Sequence, residues 1–132
     1  MDTSKLLFAK PEPRKRTKAR KKRRERAVVS DVRPRCVERD GHCRWRGLDR
    51  YLGACDGPSE WAHAPWHSRA KTRGMDSEER HTTADSFMSC RRHHAEVDGR
   101  ARPRLTVEKM TARGCDGPLR AKRDGVVYEE NE

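Results

Sequence analysis

The chain has 132 residues, of which 32% are hydrophobic and 40% charged, with a net charge of +11. That length accommodates one small domain, and so lean an apolar fraction excludes a generous hydrophobic core, leaving metal staples as the natural source of the missing stability. No apolar run is long enough for a membrane span or a secretory signal, and an odd count of five cysteines speaks against a disulfide frame, so the expectation is a cytoplasmic protein whose thiolates are ligands.

In chain order, residues 1–30 form a basic arm, expected to be disordered or helical, that holds 12 of the 32 Lys and Arg residues against three acids. Its densest part, RKRTKARKKRRER at 14–26, repels itself until an anion is present. Phosphate of nucleic acid is the natural partner, because each neutralised phosphate releases condensed counterions. The candidate contacts are Arg14, Lys15, Arg16, Lys18, Arg20, Lys21, Lys22, Arg23, Arg24 and Arg26. A helix capped by Ser30 or Asp31 is expected to run through about Arg39, with Pro34 in its first turn and Asp40-Gly41 as its stop. Val32, Cys36 and Val37 give it a small apolar face, which makes Cys36 a buried thiol. His42 is expected at the surface, and Trp45 and Trp61 in the core.

A first strand is expected over 59–64, where alternation sends Ala62 and His63 to opposite faces. Residues 69–83 read as a polar loop in which His81 is a surface residue, and 87–89 as a second strand leading into a helix from Arg91 to Gly99. The segment DSFMSCRRHHAEVD at 85–98 carries the chemistry. Cys90 and His93 stand at C-x-x-H spacing, while His94 and Asp98, four apart, share one helix face. This suits two adjacent metal sites, a soft knuckle and a hard-ligand site, with His63 as a nearby imidazole. Further on, a short helix is expected over 107–113 and a hairpin over 119–128 turning at Asp124-Gly125. Cys115 has no assigned role.

Over about 31–99 these segments resemble the HNH endonuclease family, the ββα-metal nucleases. Ala62-His63-Ala64-Pro65-Trp66 looks like the family's first-strand motif, Asp85 falls where its middle Asn belongs, and Cys90-Arg91-Arg92-His93-His94 through Asp98 matches its closing segment. The resemblance implies an α+β fold: a small ββα-metal domain with a zinc knuckle at 31–99, preceded by the basic arm at 1–30 and followed by a C-terminal helix/hairpin extension at 100–132. At the family's opening knuckle Cys43 is present but Arg46 replaces the second Cys. Cys55 is the substitute, giving a structural Zn2+ site of Cys43, Cys55, Cys90 and His93; unligated thiols in a small core are the alternative.

The same resemblance assigns roles. His63 is the general base, and Asp85 accepts a hydrogen bond from its other ring nitrogen, which would raise the His63 pKa. His94 and Asp98 hold a catalytic Mg2+, Mn2+ or transition ion. Because Ala62 stands where many members carry a ligand, Glu60 or His67 is a candidate to complete the shell. Arg91 or Arg92 clamps a neighbouring phosphate. The implied function is metal-dependent hydrolysis of duplex DNA with low sequence specificity, in a small bacteriophage-type protein acting beside packaging proteins in the bacterial host cytoplasm. Two other readings stand beside it: a catalytically inactive zinc-stapled DNA-binding module, and an RNA-binding basic protein.

Overall fold

The computed structural model describes residues 14–46 and 52–131, apart from the side chains of Arg14, Lys15 and Arg16. A 27-residue helix, α1 (Arg14–Asp40), opens it and spans the basic run without a break. The expected start at Ser30 or Asp31 is therefore wrong by four turns, and Pro34 lies inside the helix rather than in its first turn. The cause is twofold. Lys, Arg, Ala and Glu are all good helix formers, and the helix is fastened along its length. Buried Val32 and Cys36 pack with Met88, Val28 and Trp61, while Arg24 pairs with Glu78 at 2.6 Å. Asp40-Gly41 ends the helix as expected. Gly41 takes a φ of +72° and donates its N–H to the Val37 carbonyl. The nearly buried Asp40 carboxylate receives Arg39, Arg44 and the Met88 N–H.

Strands β1 (Ser59–His63) and β2 (Ser86–Cys90) pair antiparallel, with Ser59 opposite Cys90 and His63 opposite Ser86. A 3₁₀ turn (Pro65–His67), the short helix α2 (Ser77–Arg80) and a second 3₁₀ turn (Thr83–Asp85) connect them. Helix α3 (Arg91–Val97) follows β2 directly, so strand, strand and helix form one unit. β2 is buried at all five positions because α1 and α3 flank it.

A second antiparallel sheet, ordered β3 (Thr106–Lys109), β4 (Leu119–Arg123) and β5 (Val126–Glu129), closes the structure. A strand at Thr106–Lys109 corrects the expected helix near 107–113. Alternation puts Val107 inside, and pairing with β4 satisfies the backbone that a lone helical turn would leave exposed. The hairpin turn at Asp124-Gly125 is as expected, both residues having positive φ. Leu119, Ala121, Val107 and Leu105 meet Trp45, Phe87, Leu52 and Val97 in one core, with the Trp45 and Phe87 rings edge to face at 5.5 Å. Architecture is thus α+β, three helices and two small antiparallel sheets among the described residues. None of these helices is long and apolar enough to cross a membrane.

Candidate metal centre and hydrolytic site

Cys43, Cys55, Cys90 and His93 come together, their ligand atoms all within 4.8 Å of one another. Each arrives by a different device. Cys90 ends β2 and caps α3, accepting the His93 N–H on its own sulfur. His93 is then one helical turn away, facing the same point. Cys43 follows the stop of α1, where the Arg44 N–H donates to the Met88 carbonyl. Cys55 rides on a loop that seals the start of α3, since the Arg91 and Arg92 N–H groups donate to the Pro58 and Asp56 carbonyls. Gly57 makes that approach feasible, having φ +81° and standing where a Cβ would lie 2.8 Å from the Cβ of Arg91.

From His93 Nδ1 the three sulfurs lie at 3.2 Å (Cys90), 3.6 Å (Cys43) and 3.8 Å (Cys55). A tetrahedral zinc ion with bonds of about 2.3 Å to sulfur and about 2.05 Å to nitrogen separates such atoms by roughly 3.5 Å. His93 Nε2 lies 3.1 Å from the Leu52 carbonyl, which can only accept, so the proton sits there and Nδ1 is bare toward the thiols. Burial raises the Cys43 thiol, and burial with the neighbouring Cys43 and Cys90 sulfurs pushes Cys55 up to about 12. Three crowded thiols beside an unprotonated imidazole suit a soft divalent cation, whose charge supplies what drives the protons off. The four residues are positioned to bind a metal ion.

Arg123 braces the cluster from the C-terminal sheet. Its guanidinium donates to the same Leu52 carbonyl and to the buried Glu96 carboxylate. Arg123→Ala should therefore weaken zinc affinity by roughly 10–100-fold, the usual effect of losing an outer-shell partner, with little change in far-UV circular dichroism; competition against a chromophoric chelator measures it.

A second constellation lies along β1 and α3. His63, His94 and Asp98 line one cleft of about 490 Å³ together with Trp61, Arg69, Lys71 and Arg104. His94 Nε2 is 3.3 Å from Asp98 Oδ2, near the roughly 3 Å between neighbouring ligand atoms at bonds of about 2.1 Å. Its Nδ1 is 3.0 Å from Glu60 Oε1, and the contact holds Glu60 below the usual carboxylate range. Glu60 thus stands at the opposite ring edge from Asp98, where it can orient the imidazole but not share an ion with Asp98 through the same nitrogen. His67 lies away from this pair, its Nε2 2.7 Å from the Glu79 carbonyl.

Around His63 the structure differs from the sequence expectation. Asp85 spends its carboxylate on the Trp66 indole N–H at 2.8 Å and the Thr82 hydroxyl at 2.7 Å. The ring partner of His63 is instead His81, with Nε2 and Nδ1 3.0 Å apart. His81, expected at the surface, is only 6% exposed and reaches Glu25 of α1 at 3.1 Å. The expected rise in the His63 pKa is reversed: burial, then the neighbouring His81, His67, Arg80 and His94, bring it down to about 4. Arg91, with its side chain 70% exposed, lies 3.6 Å from Glu60, whereas Arg92 donates to the Ala54 carbonyl, on the Cys55 loop. On α1, Lys18, Arg20, Lys21, Lys22, Arg23, Arg24 and Arg26 are exposed, and the side chains of Arg14, Lys15 and Arg16 fall outside the described residues.

His42 is exposed, Trp45 and Cys36 are buried, and Cys115 is a buried thiol outside the cluster. No family model, no curated protein and no solved structure matches the chain.

Proposed function

We propose that this protein is a metal-dependent endonuclease of the HNH kind, hydrolysing DNA phosphodiester bonds with little sequence preference. The observation that carries this reading is that His63, some thirty residues upstream, lines a single cleft with the helix pair His94 and Asp98, and the walls of that cleft also present Arg69, Lys71 and Arg104. Attack on a phosphodiester requires a base for the incoming water and relief of charge on the departing 3′-oxygen. His63, with its ring held from one side, takes the proton. His94 and Asp98 would hold the divalent ion, which supplies charge neutralisation at the phosphate when bound. The cations of the cleft bind neighbouring phosphates, and the exposed basic face of α1 extends that contact along the duplex without reading bases. Zinc at the four-residue cluster is the structural ion in this reading.

Plasmid nicking across Mg2+, Mn2+ and Ni2+ tests it. Wild type should nick, and His94→Ala should lose roughly 10²-fold or more at fixed ion concentration, with part of the loss recovered as the ion is raised. Nicking by His94→Ala at the wild-type rate would end the proposal.

One observation favours a second reading. Fully buried Ala62 stands beside His63 where a further ligand would be expected, which fits a zinc-stapled module that binds DNA without cutting it. Tight, salt-sensitive duplex binding with no nicking under any of the three ions would decide for that module.

A further inference from the structure

Among the thirteen residues at 14–26, ten are basic, two are uncharged and one, Glu25, is acidic. That acid, with its side chain 44% exposed, nevertheless reaches the body of the domain: its Oε1 lies 3.1 Å from Nε2 of the buried His81, whose Nδ1 is in turn 3.0 Å from His63 Nε2. Trp61 packs against both rings, at 4.9 and 5.4 Å between centroids, and Arg80 lies 3.9 Å from the same Glu25 oxygen.

With His81 neutral, this chain of contacts sets where the protons are. An ionised carboxylate only accepts, so the His81 proton resides on Nε2 and is donated to Glu25. In the neutral ring Nδ1 is then an acceptor, so His63 must donate from Nε2. The consequence is that His63 Nδ1 carries no proton. Only that tautomer can take a proton from water on Nδ1, and a wrong tautomer in an otherwise intact triad is known to be severely disabling.

We infer that Glu25 and His81 are positioning residues for His63: the basic helix supplies the carboxylate that, through His81, holds the His63 imidazole in its Nδ1-bare tautomer and orientation. The role deepens the nuclease reading and rests on it for its catalytic meaning. It replaces the orienting function that Asp85, engaged by Trp66 and Thr82, does not serve. It also makes the nucleic-acid-binding helix part of the hydrolytic site, so that binding and base orientation share one element.

The test compares full-length Glu25→Ala and Glu25→Gln with wild type, using ring ¹⁵N chemical shifts of His63 and nicking kinetics. Glu25 is partly exposed on a long helix, so neither variant threatens the fold. Wild type should show a protonated Nε2 and a bare Nδ1. Glu25→Ala should shift a measurable fraction of His63 to the Nδ1–H tautomer and lower kcat roughly tenfold at unchanged KM, part of the 10²–10⁴-fold that a general base supplies. Glu25→Gln keeps a carbonyl acceptor for His81 and should retain both the shifts and most of the rate. Unchanged His63 shifts in Glu25→Ala, or an Nδ1–H tautomer in wild type, would overturn the inference. Absence of nicking in wild type would overturn the nuclease reading instead, and the ¹⁵N shifts would still decide the relay.

Discussion

Chelating the ion proposed for the cluster of Cys43, Cys55, Cys90 and His93 should unfold the domain. Structural zinc contributes roughly 10–16 kcal/mol of apparent binding free energy, whereas a domain of this kind has a net stability of about 5–15 kcal/mol. The holding role is legible in where the ligands sit: Cys90 ends β2 and caps α3, Cys43 follows α1, and Cys55 closes the loop over α3. One ion would join three elements whose shared core is small. Cys90→Ser, removing both a ligand and the cap sulfur, should give a protein without bound zinc, without dispersion of amide proton shifts, and with a far-UV signal reduced toward isolated helix. Cys36→Ser and Cys115→Ser are the controls, since both are buried thiols outside the cluster. They should retain one zinc per chain by mass spectrometry under native conditions. A folded Cys90→Ser protein, or zinc lost equally from all three variants, would show that the cluster is a thiol-lined piece of core and not a staple.

The local part of this organisation is legible in the sequence, because C-x-x-H spacing and i,i+4 pairing are set by helix geometry alone. Cys90, His93, His94 and Asp98 are placed that way, and an apolar-lean composition by itself argues for a metal. Cys55 is reachable by the absence of a second Cys at 46. The Asp124-Gly125 turn and the Asp40-Gly41 stop are likewise local. Most of the failures are nonlocal. Thr106 to Lys109 looks marginal for either structure until β4 lies beside it. Helix formation through 14–30 is opposed by charge repulsion within the segment and is favoured by tertiary anchors that the segment does not contain, Met88 and Glu78 among them. His81 lies 18 residues from His63 and 56 from Glu25, within a stretch without period. A signal for it is nevertheless present: a single acid, Glu25, in an otherwise basic run is a misfit of charge that points to a partner outside the run. Asp85 misled because its type suited the orienting role, whereas its two oxygens go to donors that flank it in the fold, Trp66 and Thr82.

Replacing His63 by Ala should lower nicking by about 10²–10⁴-fold, the range for loss of a general base, while zinc content and the thermal transition stay near those of wild type. The pH dependence separates this role from a merely structural one. Burial and surrounding positive groups favour the neutral ring, bringing the free-protein pKa down to about 4 from 6.5. The form that accepts a proton is the neutral one, so kcat/KM, which reports the free enzyme, should lose activity only as pH falls toward 4, with no His63 limb near 6.5. Arrival of a phosphodiester adds negative charge next to the ring and favours the imidazolium, so the corresponding limb in kcat should lie at higher pH than that in kcat/KM. The separation of the two limbs is the signature, because a surface histidine in water would titrate near 6.5 in both. Stability follows the same sign: between about 6.5 and 4 the unfolded chain takes up a proton that folded His63 refuses, so wild type loses stability over that window as pH falls, and His63→Gln removes that share of the loss. A kcat/KM limb at or above 6.5 that survives in His63→Gln would assign the titrating base to another group and leave His63 without the hydrolytic role.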